Sequence, residues 1–127
     1  MSWQFRKHYT RDEARALLPQ LRLWLGKLHE LRHKLDRDDN RAGQLLQSGQ
    51  DIGGATVNEW VRTAIEMQRV LAEFERLEIQ LKDIDRGLLD FPALIGGREV
   101  FLCWELDEDD IEYWHDLDTG YAGREKL

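Results

Sequence analysis

Apolar residues recur at steps of three and four through the first third of the chain, with polar residues between them. This apolar seam comprises Ala14, Leu17, Leu21, Trp24, Leu28, Leu31 and Leu35. The spacing predicts an amphipathic helix with one narrow buried face. Thr10 followed by Glu13 is a capping-box signature, which predicts where the helix begins. Pro19 lies inside the pattern and lacks a backbone donor, so we expect a kink there or a first turn that begins later.

A second apolar seam has the same period and follows another capping-box signature, formed by Thr56 and Glu59. It comprises Val57, Trp60, Ala64, Met67, Leu71, Phe74 and Leu81, interrupted near the end by Glu78, with a neighbouring stripe of Val61, Ile65 and Leu77. Between the two seams, residues 36–55 show no apolar period, which predicts a long polar connection with at most a short helical turn at 41–47. Matched seams favour an antiparallel helical hairpin over residues 10–78, with its outer stripes covered by the rest of the chain or by a second copy.

The apolar period shortens towards two after about residue 79, which is typical of strands. Two short apolar runs at 88–95 and 98–106 flank the pair Gly96-Gly97. Two glycines in this position predict a two-residue hairpin turn, because such turns need positive φ angles.

A third strand is predicted at 111–116, and residues 79–84 are a candidate fourth strand. Pro92 cannot donate to a sheet ladder, so its strand is expected at an edge or at a bulge. The whole pattern predicts a single α+β domain over residues 1–127. In it, a long antiparallel helical hairpin is followed by a small antiparallel β-sheet of three to four strands at about 79–127.

The glycine turn sets the register of the first β-hairpin. It places Asp90 opposite Cys103, on the face away from the paired apolar residues. A second turn centred on 108–109 then places His115 on the apolar core face, while Trp114 joins Asp90 and Cys103 on the other face. This register is the basis for the interpretation of every candidate residue in the sheet.

Cys103 and His115 are residue types that bind zinc or form nucleophile–base pairs. Because the predicted register places them on opposite faces, we expect neither a shared metal site nor a catalytic dyad, and no metal is assigned. Cys103 is then expected to be a small buried residue, and His115 a hydrogen-bonded histidine of the core.

Asp90 is the most interesting carboxylate of the predicted sheet. Beside Trp114 it is expected to be partly desolvated, a frequent property of functional carboxylates. The alternative is a structural role, in hydrogen bonds or in an ion pair with Lys82 or Arg124. The tail at 120–124 is short and contains two glycines, so it can fold back and present Arg124 to Asp90 or to an anionic ligand.

Charge is unevenly distributed along the chain. The net charge is −7 overall, but residues 1–37 carry +5 and the remainder −12, with the densest acidic run at 107–110. We expect the basic first helix and the acidic run to attract each other, within one chain or between two. The acidic balance argues against non-specific binding of nucleic acid.

The composition also limits the class of protein. No stretch approaches the roughly 18 apolar residues of a membrane span, and the first residues lack the apolar core of a signal peptide. Cys103 is the only cysteine, so an internal disulfide is excluded and a cytoplasmic location is expected. No nucleotide, dinucleotide or zinc-finger motif is found, and the cofactor is therefore unknown.

Five short motifs occur together along the chain: HYTRDEARALLP at 8–19, LKDIDRGLLDFP at 81–92, VFLCW at 100–104, YWH at 113–115 and GYAGR at 120–124. This combination resembles the domain-of-unknown-function 2203 family over nearly the whole chain. The resemblance implies a small prokaryotic cytoplasmic protein and carries over no activity, since the family has no assigned reaction. Its polar motif residues here are Lys82, Asp83, Asp90, Cys103, His115 and Arg124. The family also leads us to expect a glycine between helix and sheet, where this chain has residues 77–79.

Two functions are consistent with these patterns. The first is a non-catalytic interaction module, in which the helical hairpin forms a homo-oligomer such as a dimer, or docks onto a partner helix. The second is a small ligand-binding protein or enzyme, with a polar site around Asp90 and Arg124 that also includes Lys82 and Trp114.

Overall fold

A computed structural model describes residues 2–51 and 53–127 of the protein. Within these residues the chain forms two α-helices followed by an antiparallel sheet. This order confirms the predicted α+β class. No helix of the described chain combines the length and the apolar character that crossing a membrane requires.

Helix α1, Arg11–Gln47, begins where the sequence predicts. The Thr10 hydroxyl accepts a hydrogen bond from the backbone of Glu13, and the Glu13 carboxylate accepts one from the backbone of Thr10. This reciprocal pair confirms the capping box. The helix continues through Pro19, so the expectation of a late first turn is wrong.

The polar connection predicted over 36–55 is wrong in length, because α1 extends to Gln47 and only 48–53 separate the helices. Polar residues can continue a helix when a neighbouring helix supplies contacts. Here Lys34 forms an ion pair of 3.2 Å with Glu59, and the indole of Trp60 donates to Asp39 at 3.0 Å. The periodicity of one helix alone does not reveal such contacts.

Helix α2, Gly54–Arg76, packs against α1 and completes the predicted hairpin. The N-terminal cap is Gly53 and makes no side-chain hydrogen bond, so the second predicted capping box, Thr56 and Glu59, is wrong. At the other end Glu78 has a φ of 57°, the left-handed conformation that usually favours glycine. Glu78 lies within residues 77–79, where the family resemblance leads us to expect a glycine.

The sheet has five antiparallel strands in the order β1-β2-β3-β4-β5. They are β1 Gln80–Asp83, β2 Leu88–Ile95, β3 Arg98–Trp104, β4 Tyr113–Asp116 and β5 Glu125–Lys126. Gly96 and Gly97 both have positive φ, which confirms the glycine turn. The short strand β5 was not predicted.

Pro92 lies within β2 and yet has a free flank, as its missing donor requires. The pairing of β1 with β2 extends only as far as Gln80 and Asp90, so β1 does not reach the level of Pro92. On the vacated flank the Pro92 carbonyl accepts a hydrogen bond of 2.7 Å from the backbone of Tyr9. The prediction that this strand lies at an edge or is bulged at Pro92 is wrong, because β2 lies between β1 and β3 in regular register; only the stretch around Pro92 lacks a neighbouring strand on one side.

The core lies between the helices and one face of the sheet. Its buried members include Leu21, Leu25, Leu28, Phe74, Leu89, Phe91, Val100, Leu102 and Trp104. In α1 the buried residues end at Leu31, and in α2 they are Thr63 and Phe74. The half of the hairpin beyond these residues therefore has no sheet beneath it, and α1 and α2 cover only each other there.

The acidic loop after β3 is attached to α1 within the same chain. Asp110 accepts hydrogen bonds from Arg15 at 2.8 and 3.0 Å and from Arg11 at 3.4 Å. Arg22 donates to the carbonyls of Leu106 and Glu108, both at 2.9 Å. The expected attraction between the basic first helix and the acidic run is thus intramolecular.

The ion pair of Asp110 has a testable pH dependence. The hydrogen bonds from Arg15 and from the backbone of Ile111 lower the pKa of Asp110 from 3.8 to about 2. A carboxylate with a lowered pKa stabilises the fold above its unfolded pKa and loses that contribution as the pH falls. We expect Asp110→Asn to be less stable than the wild type at neutral pH, with the difference vanishing between pH 3.8 and about 2. Thermal unfolding across this pH range measures the difference in stability.

The control Asp109→Asn should show no such trend, and a constant difference for Asp110→Asn would contradict the prediction.

Candidate functional site

The face of the sheet away from the helices brings three polar residues of the motifs together. Strands β2 and β3 pair Asp90 with Cys103, in the register that the sequence predicts. Strands β3 and β4 pair Cys103 with Tyr113 and Phe101 with His115. Since paired residues point to the same face, Asp90, Cys103 and His115 lie on one face.

The predicted register of β4 is wrong by one residue. His115 was expected opposite Leu102, but it lies opposite Phe101, and a slip of one residue exchanges the two faces of a strand. The connection is centred on Glu108 alone, whose backbone donates to the Glu105 carbonyl and whose carbonyl accepts from the Trp104 indole, both at 2.9 Å. His115 therefore joins Asp90 and Cys103, contrary to the expectation that they lie apart.

The three side chains form a compact buried cluster, which we call the Asp–Cys–His trio. One donor atom from each of Asp90, Cys103 and His115 lies within 4.8 Å of the others. The exposed fractions are 3% for Asp90, 0% for Cys103 and 2% for His115. His115 is in contact on both sides: its Nε2 lies 3.0 Å from Asp90 Oδ1 and its Nδ1 lies 2.6 Å from the carbonyl oxygen of Asp116.

The thiol of Cys103 is not set up as a nucleophile. Burial raises its pKa to about 12, and the nearby Asp90 carboxylate contributes to the shift. A thiol with this pKa stays protonated at neutral pH, whereas the thiolate is the reactive form. The burial of Cys103 therefore does not favour nucleophilic catalysis by a Cys–His dyad.

Arg124 adjoins the trio on the side of Cys103. Its guanidinium lies over the rings of Tyr113 and Tyr121, 3.9 and 4.3 Å from their centroids. It donates to the two carboxylate oxygens of Glu108 at 3.2 and 2.8 Å, and its Nη1 lies 4.0 Å from Cys103 Sγ. The tail does fold back over the sheet as expected, but it directs Arg124 to Glu108.

The remaining candidates differ in their relation to the trio. Asp90 pairs with His115, so the ion pair expected with Lys82 or Arg124 is not formed. The Lys82 ammonium lies over the ring of Phe101, 5.6 Å from its centroid, at the margin of this face. Trp114 packs against the hydrophobic core on the opposite face.

The N-terminal segment covers part of the same face. The ring of Phe5 packs edge-on against Phe101 with 5.4 Å between centroids, and the backbones of Gln4 and Phe5 donate to Glu99 at 2.9 and 3.1 Å. The Glu78 carboxylate accepts from the backbones of residues 6 and 7. The left-handed residue at the end of α2 thus anchors this segment, a role that glycine cannot fill.

The sequence also contains a possible zinc-binding motif that the sequence analysis did not identify. Residues 29–33 read HELRH, which fits the H-E-x-x-H pattern of helical zinc ligands. In the structure His29 hydrogen-bonds the carbonyl of Ile84. A groove of about 240 Å³ is lined by His29, His33, Asp36 and Asp85 among others. Among the residues that the structure describes, no third potential ligand converges with this pair as closely as the members of the trio converge.

Together these features define a two-layer α+β protein. A helical hairpin packs on one face of an antiparallel meander, while the N-terminal segment and the tail flank a buried polar trio on the other. The chain belongs to the DUF2203 family, described as an uncharacterised conserved protein, which it matches over residues 7–127. This match confirms the family resemblance of the motifs. No curated protein and no solved structure matches the chain.

Proposed function

We propose that the protein is a non-catalytic interaction module that forms a homodimer through the outer half of its helical hairpin. The observation that carries this proposal is an apolar surface on α2, which we call the α2 stripe: Val57, Trp60, Val61, Ala64 and Ile65. Four of its members, Val57, Trp60, Val61 and Ile65, are exposed to between 41% and 48%. Val57, Trp60 and Val61 precede the buried Thr63 and lie on the part of the hairpin that has no sheet beneath it.

The α2 stripe has the dimensions of a helix-packing surface. A groove of about 500 Å³ follows it and continues along α2 as far as Ala72. The distance from Val57 to Ala72 along a helix is about 22 Å at 1.5 Å per residue. A contiguous apolar patch of this kind on a protein surface is characteristic of an interaction site. Helix α1 covers one side of α2, and the α2 stripe occupies another.

The two edges of the α2 stripe carry opposite charges. Arg62 and Arg69 lie on one edge, and neither forms an ion pair with a residue that the structure describes. On the other edge, beyond Trp60, lie Asp38 and Asp39 of α1. Asp38 Oδ2 is buried and has no hydrogen-bond partner within the described chain, which is costly for a carboxylate oxygen. This edge of the stripe is therefore acidic.

A second copy of the chain supplies a basic edge to match the acidic one. Trp60 and Arg62 are about 200° apart around the helix axis, so the basic and acidic edges lie on opposite sides of the stripe. When two copies pair about a two-fold axis parallel to α2, the basic edge of each copy meets the acidic edge of the other. Apolar stripes then face each other and the two helical hairpins lie side by side, as in a four-helix bundle.

The first test is the mass of the protein in solution. We expect the wild type to have about twice the monomer mass of 15.0 kDa by light scattering after gel filtration, and Val61→Glu/Ile65→Glu to be monomeric. Two carboxylates in the centre of the interface would be desolvated without partners on dimerisation. The control is Leu23→Glu, at an α1 residue that is 69% exposed, which should leave the dimer intact. A wild type that stays monomeric over the whole accessible concentration range would refute the proposal.

A charge exchange tests the arrangement of the two copies. We expect Arg62→Asp and Asp38→Arg each to weaken self-association, because each places like charges at both contacts between the edges. Mixing the two variants should restore dimers, since both contacts of the mixed pair then join opposite charges. Light scattering of the separate and mixed variants measures this. Mixed samples that remain monomeric while the wild type is dimeric would exclude the parallel arrangement.

A further inference from the structure

We propose that Asp90, Cys103 and His115 form a binding site for a divalent transition-metal ion, with Zn²⁺ as the best match. The three side chains offer one carboxylate oxygen, one sulfur and one imidazole nitrogen, all within 4.8 Å of one another. These are the three donor types that zinc sites in proteins use. The site lies in the sheet and shares no residue with the α2 stripe, so metal binding and dimerisation can be tested independently.

The hydrogen-bond geometry of His115 supports a cation at this place. Both of its ring nitrogens face oxygen atoms, the carbonyl of Asp116 at 2.6 Å and the carboxylate of Asp90 at 3.0 Å. A neutral imidazole has only one N–H to donate. A ring that carries a proton on each nitrogen donates to both oxygens, and this is the buried pair of the metal-free protein. A metal ion can replace the proton between Nε2 and Asp90 Oδ1 and accept a lone pair from each, while Nδ1 still donates to the carbonyl.

The separation of the nitrogen and oxygen donors agrees with metal coordination after a small movement. Bonds of about 2.0–2.2 Å to nitrogen and oxygen in a tetrahedral site place those two ligands roughly 3.3 Å apart. The observed separation between His115 Nε2 and Asp90 Oδ1 is 3.0 Å. All three side chains are buried and held in regular strands, which restricts how far they can move apart.

Groups around the trio also resemble the outer shell of a metal site. Ligating histidines commonly donate their second ring N–H to a backbone carbonyl, which orients the ring, and the Asp116 carbonyl is placed for this. Arg124 Nη1, 4.0 Å from Cys103 Sγ, is positioned to donate to the sulfur. Coordination replaces the thiol proton, which is released to solvent, and the thiolate and carboxylate then balance the charge of the ion.

The chemistry of the donor set selects among metals. A thiolate and an imidazole favour zinc and the similar ion Co²⁺ over Mg²⁺ and Ca²⁺, which prefer oxygen ligands. Three protein ligands leave a fourth tetrahedral position for water or another small ligand.

Cobalt absorption gives a direct test, because Cys103 is the only cysteine of the chain. Adding Co²⁺ alone to the folded, metal-free wild type should produce a near-ultraviolet thiolate-to-cobalt charge-transfer band together with intense visible bands of tetrahedral Co²⁺. The charge-transfer band should be absent in Cys103→Ser. Asp90→Asn and His115→Gln each remove one proposed ligand, so each should lower the affinity for Co²⁺ at least tenfold. Circular dichroism establishes that each variant is folded.

The HELRH segment of α1 provides the matched control. His33→Asn removes a histidine that lies outside the trio, so it should leave both the charge-transfer band and the Co²⁺ affinity unchanged. The wild type should also unfold at a higher temperature with Zn²⁺ than with Mg²⁺, since an ion that binds only the folded state stabilises it. A folded wild type that shows no charge-transfer band at saturating Co²⁺, or binding that is lost in His33→Asn and retained in Cys103→Ser, would overturn the proposal.

Discussion

In metal-free buffer, His115→Leu is expected to lower the free energy of unfolding by about 3–5 kcal/mol. His115 and Asp90 are a buried pair, with exposed fractions of 2% and 3% and 3.0 Å between Nε2 and Oδ1. Removing the imidazole leaves the Asp90 carboxylate in the sheet interior without its partner, and an isolated buried carboxylate is strongly unfavourable. Urea unfolding of wild type and variant, followed by circular dichroism, measures the difference.

A second variant separates loss of the pair from loss of packing. Asp90→Asn/His115→Leu also removes the unpaired charge of the Asp90 carboxylate, so the double variant should recover part of the stability that His115→Leu loses. With the single variant Asp90→Asn measured as well, the three differences give the coupling between the two residues in a double-mutant cycle. If His115→Leu unfolds within about 0.5 kcal/mol of the wild type, the range usual for surface changes, the pair has no structural importance.

Trp104→Ala is expected to destabilise the protein by a similar amount, about 3–5 kcal/mol. The Trp104 side chain is fully buried in the core between sheet and helices. Its indole also donates to the Glu108 carbonyl at 2.9 Å, and the guanidinium of Arg22 lies 5.0 Å from the ring centroid. The substitution therefore leaves a large cavity and also releases the acidic loop that sets the register of β4.

A tryptophan at the surface is the matched control for this substitution. Trp3 is 42% exposed, and Trp3→Ala should change the free energy of unfolding far less than Trp104→Ala. Urea unfolding again provides the measurement. Equal effects of the two substitutions would contradict the placement of Trp104 at the centre of the core.

The features that the sequence predicts correctly depend on residues close together in the chain. The capping box joins residues three apart, so the start of α1 follows from Thr10 and Glu13 alone. The first β-hairpin is closed by two glycines, and a two-residue turn allows only one pairing of its strands. Asp90 opposite Cys103 follows from that turn.

The features that were predicted wrongly depend on contacts between distant segments. Past residue 36, helix α1 is in contact with α2, where the Trp60 indole donates to Asp39, and no pattern within α1 records this. The connection from β3 to β4 is a longer loop whose shape depends on hydrogen bonds of Glu105 and Glu108 and on the Trp104 indole. Loops of this length do not specify the register of their strands by themselves.

The candidate site follows the same division. Its residue types were singled out by the motifs, and half of its geometry, the pair Asp90 and Cys103, was determined by the sequence through the glycine turn. The addition of His115 was decided by the tertiary structure alone, through a displacement of one residue in β4. Because side chains of a strand alternate between two faces, that single residue is the difference between a separated histidine and the buried Asp–Cys–His trio.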